Sequence, residues 1–230
     1  MSEDCRGDID LNGIEIFQRE AARYDAWFDS NRGKRIFASE LLCLRQLCHD
    51  LPRPWLEVGV GTGRFAHALA IDVGVDPASR VLRYAKQRGV RTFQAAGQSL
   101  PFNVGRFGGT FLIVTLCFAD DPEGLVREAA RVTRRQGGVV FGLVPAGSPW
   151  GKFYTAKGKA GHLFYCNATF FTLEECEDLA VSVGMRLDRA ASTLFGSPDE
   201  QAIQIELPRQ GKDRSAGFVA MLFRPVMSDA

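Results

Sequence analysis

The sequence predicts an α/β fold with a mostly parallel sheet, and three observations carry that expectation. Between residues 55 and 144, apolar runs of strand length alternate with helical periods, a pattern that joins parallel strands through helical crossovers. The first run, Trp55-Leu-Glu-Val-Gly-Val-Gly-Thr-Gly63, ends in glycines at alternate positions. Strand, glycine loop and helix in succession make the nucleotide-binding corner of an open sheet, because glycine accepts positive φ and lets a ligand approach the backbone. Near the end of the chain, β-like runs at 186–194 and 217–224 flank a polar loop at 196–216 and form an antiparallel pair.

Residues 1–11 are polar and expected to be loose. Ile16, Phe17, Ala21, Tyr24, Trp27 and Phe28 then recur at helical spacing. Ser30-Asn-Arg-Gly33 interrupts the pattern, and Ile36, Leu41, Leu42, Leu44 and Leu47 resume it. Two helices are therefore expected before the first strand at 56–60. Asp76 follows Gly63 by 13 positions, so only a short helix over 64–69 fits before strand two at 71–75. A helix over 78–88 stops at Gly89, and strand three covers 90–95. Strand four spans 107–116 around the apolar Phe111-Leu-Ile-Val114. A helix over 122–134 carries Leu125, Val126, Ala129, Ala130 and Val132 on one side, and strand five spans 137–144. Residues 148–171 break the alternation with Gly, Lys and aromatics and read as a long insert, a lid or binding loop. Thr172 and Glu175 form a capping box for a helix over 172–183, which Gly184 ends.

At 230 residues and 46% apolar composition, there is material for one core. The net charge is +1 and the basic residues form no long run, so no nucleic-acid footprint is present. No apolar stretch reaches membrane-spanning length, and Met1-Ser-Glu-Asp-Cys-Arg does not read as a signal peptide. A cytoplasmic protein with neither nucleic acid nor membrane as partner is expected. The six cysteines include no Cys-x-x-Cys pair and read as reduced, mostly buried thiols. The spacing of Cys43, Cys117 and Cys166 supports no metalloid site, and no metal is expected.

Gly61-Thr-Gly63-Arg-Phe-Ala66 formally satisfies the dinucleotide fingerprint, which admits an NAD-binding oxidoreductase. That fold wants an acid about 20 residues beyond the loop, whereas Asp76 stands 15 beyond Gly61. Glu57 would also aim negative charge at a pyrophosphate. A cofactor with cationic groups and no phosphate suits these charges better. No Gly-Lys-Ser/Thr follows, which excludes a P-loop. Asp76 can accept from both ribose hydroxyls, can cap the helix that follows, or can do both.

Glu57-Val-Gly-Val-Gly-Thr-Gly63 with Gly74-Val-Asp-Pro77 resembles the class I S-adenosylmethionine (SAM)-dependent methyltransferases. It is most similar to the small-molecule (type 11) enzymes related to those of ubiquinone and menaquinone biosynthesis. Ala95-Ala-Gly-Gln-Ser-Leu-Pro-Phe102 is similar to that family's G-D-A-E-x-L-P-F. The family's adenine-binding aspartate aligns with Ala96, and its glutamate with Gln98. Asp120-Asp-Pro-Glu123, Glu128-Ala-Ala-Arg-Val132 and Gln136-Gly-Gly138 resemble the rest of the signature, so the likeness covers 54–144.

The resemblance implies a Rossmann-like, seven-stranded, mostly parallel sheet with an antiparallel last strand. It divides the chain into an N-terminal helical cap at 1–51 and a SAM-binding domain at 52–230, with a lid at about 148–171, as one compact unit. It implies cofactor contacts from Glu57, Gly59, Val60, Gly61, Gly63, Asp76, Pro77, Val81, Ala96, Gly97, Gln98 and Thr115. Tyr24 and Trp27 either line the substrate entrance or simply dock their helix on the core. Cys117 and Phe118 lie beside the methyl group, at the end of strand four. His162 and Tyr165 are candidates for a general base, although a loop histidine without chemistry is the plainer reading. Lys157 and Lys159 suit an acidic substrate or are solvated.

The expected activity is in-line transfer of methyl from SAM to a small-molecule acceptor, leaving S-adenosylhomocysteine (SAH). The absence of Asn-Pro-Pro-Tyr after strand four supports a small acceptor. Ala96 keeps open a non-catalytic SAM-binding or SAM-sensing protein. A homodimer is compatible with the sequence.

Overall fold

The computed structural model describes residues 13–200 and 203–226; the expectation for 1–11 lies outside the described residues. Eight strands form one sheet in the order β3-β2-β1-β4-β5-β8-β6-β7. β1 (Trp55–Val58), β2 (Val73–Asp76), β3 (Arg91–Gln94), β4 (Phe107–Ile113) and β5 (Thr133–Leu143) are mutually parallel. β8 (Phe218–Pro225) runs antiparallel between β5 and β6 (Met185–Thr193). The strand beyond the expected seven is β7, the two-residue Arg209–Gln210, which pairs with Ser192 and Ala191 inside the predicted polar loop.

Side chains of the central strands alternate between the faces, as a pleated strand buried on both sides requires. Trp55, Phe111, Ile113 and Val140 join one cluster with α3 (Asn31–Cys48), α4 (Arg64–Ala68), α5 (Ser79–Gln87) and α7 (Pro149–Lys159). Leu56, Leu112, Val139 and Phe141 join the other with α6 (Pro122–Val132) and α8 (Leu173–Ser182). The chain builds β1, β2 and β3 outward in one direction, then returns to place β4 on the other side of β1. The carboxyl ends of β1 and β4 therefore diverge into a crevice, where open α/β sheets bind ligands.

Three local expectations need correction. Among the described residues three helices, not two, precede β1: α1 (Gly13–Arg19), α2 (Ala21–Trp27) and α3. Ser30, read as part of a break, is the N-cap of α3, and its hydroxyl accepts from the Gly33 amide at 2.9 Å. α6 stops at Val132 because Thr133 already belongs to β5, where its hydroxyl lies 2.7 Å from that of Thr110. The 148–171 insert is not a plain loop: Ser148 caps α7, accepting from Gly151 at 3.0 Å, and turns follow. The capping box of Thr172 and Glu175 on α8 is present as expected.

Gly63 shows how tightly the corner is packed. Its φ is +79°, and a Cβ there would stand 2.8 Å from the Ala85 backbone of α5. Gly63→Ala adds a left-handed penalty of about 1–2 kcal/mol to overpacking of about 1–3 kcal/mol. We expect a loss of about 2–5 kcal/mol in urea unfolding, and a change below about 0.5 kcal/mol would show that α4 and α5 are free to separate.

Candidate active site

The glycine loop is shaped by what packs around it. Gly59 follows β1 with φ +75°, and a Cβ there would lie 2.4 Å from Thr115 Cγ2. Thr115 in turn donates to the Val58 carbonyl at 3.0 Å, tying the ends of β1 and β4 together. The Gly59 and Val60 amides donate to the Val75 carbonyl at 2.8 and 2.9 Å. The Gly61 amide donates to Asp76 Oδ2 at 2.9 Å, and the Ala78 amide to Asp76 Oδ1 at 2.9 Å. Asp76 thus fixes the loop and the start of α5 together while lining a cavity.

Two buried carboxylates face this corner. Burial pushes the Asp76 carboxyl up to about 6, against its hydrogen bonds from Ala78 and Gly61. Glu57 is 2% exposed, and its Oε2 has no hydrogen-bond partner. Burial, and then the neighbouring Asp76 charge, raise the Glu57 carboxyl well above its ordinary value, opposed by a hydrogen bond from the Ala66 amide. Unpaired buried acids are costly, and a cationic group brought beside them relieves that cost.

A second set of charges holds the helical cap in place. Arg64, at the start of α4, donates to both carboxylate oxygens of Asp25 at 3.0 and 2.9 Å and to both of Asp29 at 3.0 and 2.7 Å. Arg88, just after α5, donates to Asp25 Oδ2 at 2.9 Å and to the Thr62 carbonyl at 2.9 Å. Burial pushes the Asp25 carboxyl up, but the hydrogen bonds from Arg64 and Arg88 outweigh it and hold the group below its ordinary value.

Tyr24 is thereby set against Gly61, where an added Cβ would lie 3.4 Å from its ring. Its ring meets Phe17 edge-on at 5.2 Å, and Phe17 meets Phe118 at 5.1 Å. Tyr24, Phe17 and Phe118 line two cavities and form the partition between them.

The first cavity, of about 140 Å³, includes Gly59, Gly61, Asp76 and Pro77 on one side. Ala96, Gly97, Gln98 and Thr115 lie on the other. The second, of about 320 Å³, lies under the cap and the insert and includes Glu57, Val60, Trp27 and Cys117 together with His162 and Tyr165. Eight of the twelve expected cofactor residues therefore line the first cavity. Four do not. Glu57 and Val60 line the second cavity only. Gly63 caps α4 against α5. Val81 is fully buried among Ala21 and Ala78 and lines neither cavity, because its place on α5 turns it toward the cap.

Lys157 borders the second cavity, whereas Lys159 does not. Burial and the nearby Lys157 and Arg23 hold His162 below its ordinary value, and its Nδ1 is buried without a partner. Burial and neighbouring phenols keep Tyr165 protonated, far above the ordinary range, and it is hydrogen-bonded to Tyr154. That environment disfavours Tyr165 as a base.

Sequence reasoning did not single out Asp25, Phe17, Glu40 or Phe164, all part of the clip or the cavity walls. Asp25 stands between Tyr24 and Trp27, but only its long-range arginine partners reveal its use.

Asp25→Asn removes the carboxylate shared by both guanidiniums. Charge-assisted hydrogen bonds at these largely buried groups predict a loss of about 2–3 kcal/mol, with faster amide exchange across α2. Exchange in α2 equal to wild type would mean that the ion pairs do not hold the cap.

The model of the family described as "Methyltransferase domain" matches residues 56–141. A solved protein of Thermotoga maritima, described as a SAM-dependent methyltransferase and possible histamine N-methyltransferase, superposes with a TM-score of 0.84 at 34% identity, covering 93% of this chain and 99% of its own. An uncharacterized protein of Mycobacterium tuberculosis is 40% identical over 88% of this chain and 71% of its own length. One of Methanocaldococcus jannaschii is 34% identical over 81% and 89%. Set beside the glycine corner and its two acids, these likenesses assign SAM as the cofactor: the chain belongs to the class I SAM-dependent methyltransferases of the type 11 family.

Proposed function

We propose that the acceptor is a small molecule held in the second cavity, with SAM in the first and its methyl group directed through the partition. The observation that supports this is the second cavity itself. It is a space of about 320 Å³ roofed by cap and insert, which suits a small molecule better than a nucleic acid or a protein segment. It shares Gly59, Ile113, Val114 and Phe118 with the first, so two ligands placed there meet at the carboxyl ends of β1 and β4.

In this reading Asp76 accepts from the ribose hydroxyls with the lone pairs that the Gly61 and Ala78 amides leave free. Pro77, Ala96, Gly97 and Gln98 surround adenine. The unpartnered Oε2 of Glu57 accepts from the ammonium of the methionine moiety. The acceptor's lone pair attacks the methyl carbon in line as the carbon–sulfur bond breaks, and the electron pair stays on sulfur to give SAH. The protein aligns the two ligands and excludes water. His162, held neutral, is the group suited to receive a proton where the acceptor must lose one. The amine acceptor suggested for the Thermotoga protein is one class to test here.

Calorimetry with SAH tests the cofactor side. Asp76→Asn should weaken binding by about tenfold or more, the value of one to two hydrogen bonds to a charged group; unchanged binding would remove Asp76 from the site. No SAH binding by wild type at millimolar concentration would sink the whole reading.

The pH dependence has a definite sign. A free carboxyl near 6 is partly protonated at about pH 5 and must ionise to hold the ribose, so SAH affinity should rise between about pH 5 and 7. The same shift makes Asp76 a stabilising group in the unliganded fold only at acid pH, with that contribution lost as pH climbs from about 4 through 6. In Asp76→Asn the rise in affinity near pH 6 should flatten; a profile parallel to wild type would assign it to another group.

A further inference from the structure

The second cavity holds a carboxylate that the cofactor does not use. Arg32, Ile36 and Glu40 line it from α3 at four-residue steps, along one stripe of the helix. Glu40 is 7% exposed, and its carboxylate makes no hydrogen bond or ion pair with another described residue. Burial alone pushes its carboxyl up to about 8. A buried acid with no partner is a standing cost to the fold, and it faces the space in which a ligand would sit.

The cations around this cavity are committed elsewhere. The Arg32 guanidinium donates to the carbonyls of Pro198 at 2.5 Å and Glu200 at 3.2 Å, and lies 5.5 Å from the Trp150 ring centroid. Lys157 Nζ sits 4.5 Å from the Phe153 ring centroid. Arg64 is taken by Asp25 and Asp29, and Arg23 is not without partners of its own. His162 is held neutral. Glu57 is the other uncompensated acid, and it belongs to the glycine corner.

What remains for Glu40 is aromatic surface. Its charge acts on the phenols of Tyr24 and Tyr154. Tyr154 packs on Tyr165 with centroids 4.6 Å apart and is stacked parallel to Phe170 at 6.2 Å. Aromatic faces attract cations, and a carboxylate among them rejects anions.

We propose that the second cavity selects a small organic cation, a protonated amine on an apolar or aromatic body, with Glu40 as its counter-ion. The proposal rests on the reading of this cavity as the acceptor site and adds the charge of the acceptor to it. Glu40 recognises charge and orients the molecule; an ammonium has no lone pair, so the methyl goes to another atom of the acceptor that keeps one, and no bond is made or broken at the group paired with Glu40.

The test uses three probes of matched shape on the SAH-loaded full chain: 2-phenylethylamine, 2-phenylethanol and 3-phenylpropionate, with affinity read by calorimetry. Wild type should prefer the amine by about tenfold or more over both others, the value of a charge-assisted pair. Glu40→Gln should abolish that preference while keeping SAH affinity within about twofold and a melting temperature at or above that of wild type. Equal binding of the alcohol, preference for the carboxylate through Lys157 and Arg32, no amine binding, or an unchanged preference in Glu40→Gln would each overturn the proposal. The wild-type comparison decides the matter even where the variant fails to fold. Failure of SAH itself to bind is a separate result, which overturns the cofactor reading and this one with it.

Discussion

One carboxylate, that of Asp25, holds the two halves of the site in register. Arg64 opens α4 and Arg88 closes α5, and these two helices flank the glycine loop. By binding both, Asp25 fastens α2 to the part of the sheet where the cofactor corner lies. The next residue back along α2, Tyr24, then has little choice of position: it stands over Gly61, edge to face with Phe17 and Phe28. The partition between the two cavities is a consequence of that ion-pair cluster. These side chains are partly open to water, so the cluster can exchange its partners for solvent at modest cost.

Set against that clip are acids with no cationic partner among the described residues. Glu57 and Glu40 are buried and face the larger cavity, and Asp76 is held by backbone amides alone. Each is raised above its ordinary value by burial. Groups of this kind weaken the unliganded fold and persist where a ligand offsets their cost. SAM carries its positive charges on sulfur and on the amino group, and a corner walled by two carboxylates discriminates against phosphate-bearing cofactors through the same energy. The charge argument that separates the two cofactor classes in the sequence is therefore a property of the folded pocket.

Much of this was legible in the chain because it is local. The glycine spacing, Asp76, the capping box of Thr172 and Glu175 and the alternating apolar runs each express a constraint acting over a few residues, and the sheet follows from their order. The misreadings come where distant residues decide. Ser30 looks like a breaker until its hydroxyl is seen capping α3. Val81 has the right position after the motif, but the packing of α5 on the cap turns it away. Residues 149–159 have a poor helical pattern, since Trp150 and Tyr154 are buried while glycines and lysines fill the remaining turns. Asp25 and Glu40 carry no signature at all: one acts through arginines 39 and 63 residues away, and the other is defined by the partners it lacks.

The replacement at Ala96 fits the same logic. The family's aspartate would supply a side-chain acceptor to adenine, yet its loop here is held by other means. Glu128 accepts from the Leu100 amide at 2.7 Å and pairs with Arg131, whose guanidinium also donates to the carbonyls of Phe102 at 2.9 Å and Leu100 at 3.1 Å. The E-x-x-R spacing on α6 is thus a fastening for residues 100–102, independent of any ligand. Gly97 presses against Leu125 of the same helix, leaving no room for a Cβ, which would lie 2.5 Å from Leu125 Cδ1. Residues 96–98 line the first cavity and are held from behind by α6, and a clamped loop loses little entropy when a ligand binds. In the proposed reading, adenine meets that clamped loop rather than a side-chain acceptor at position 96.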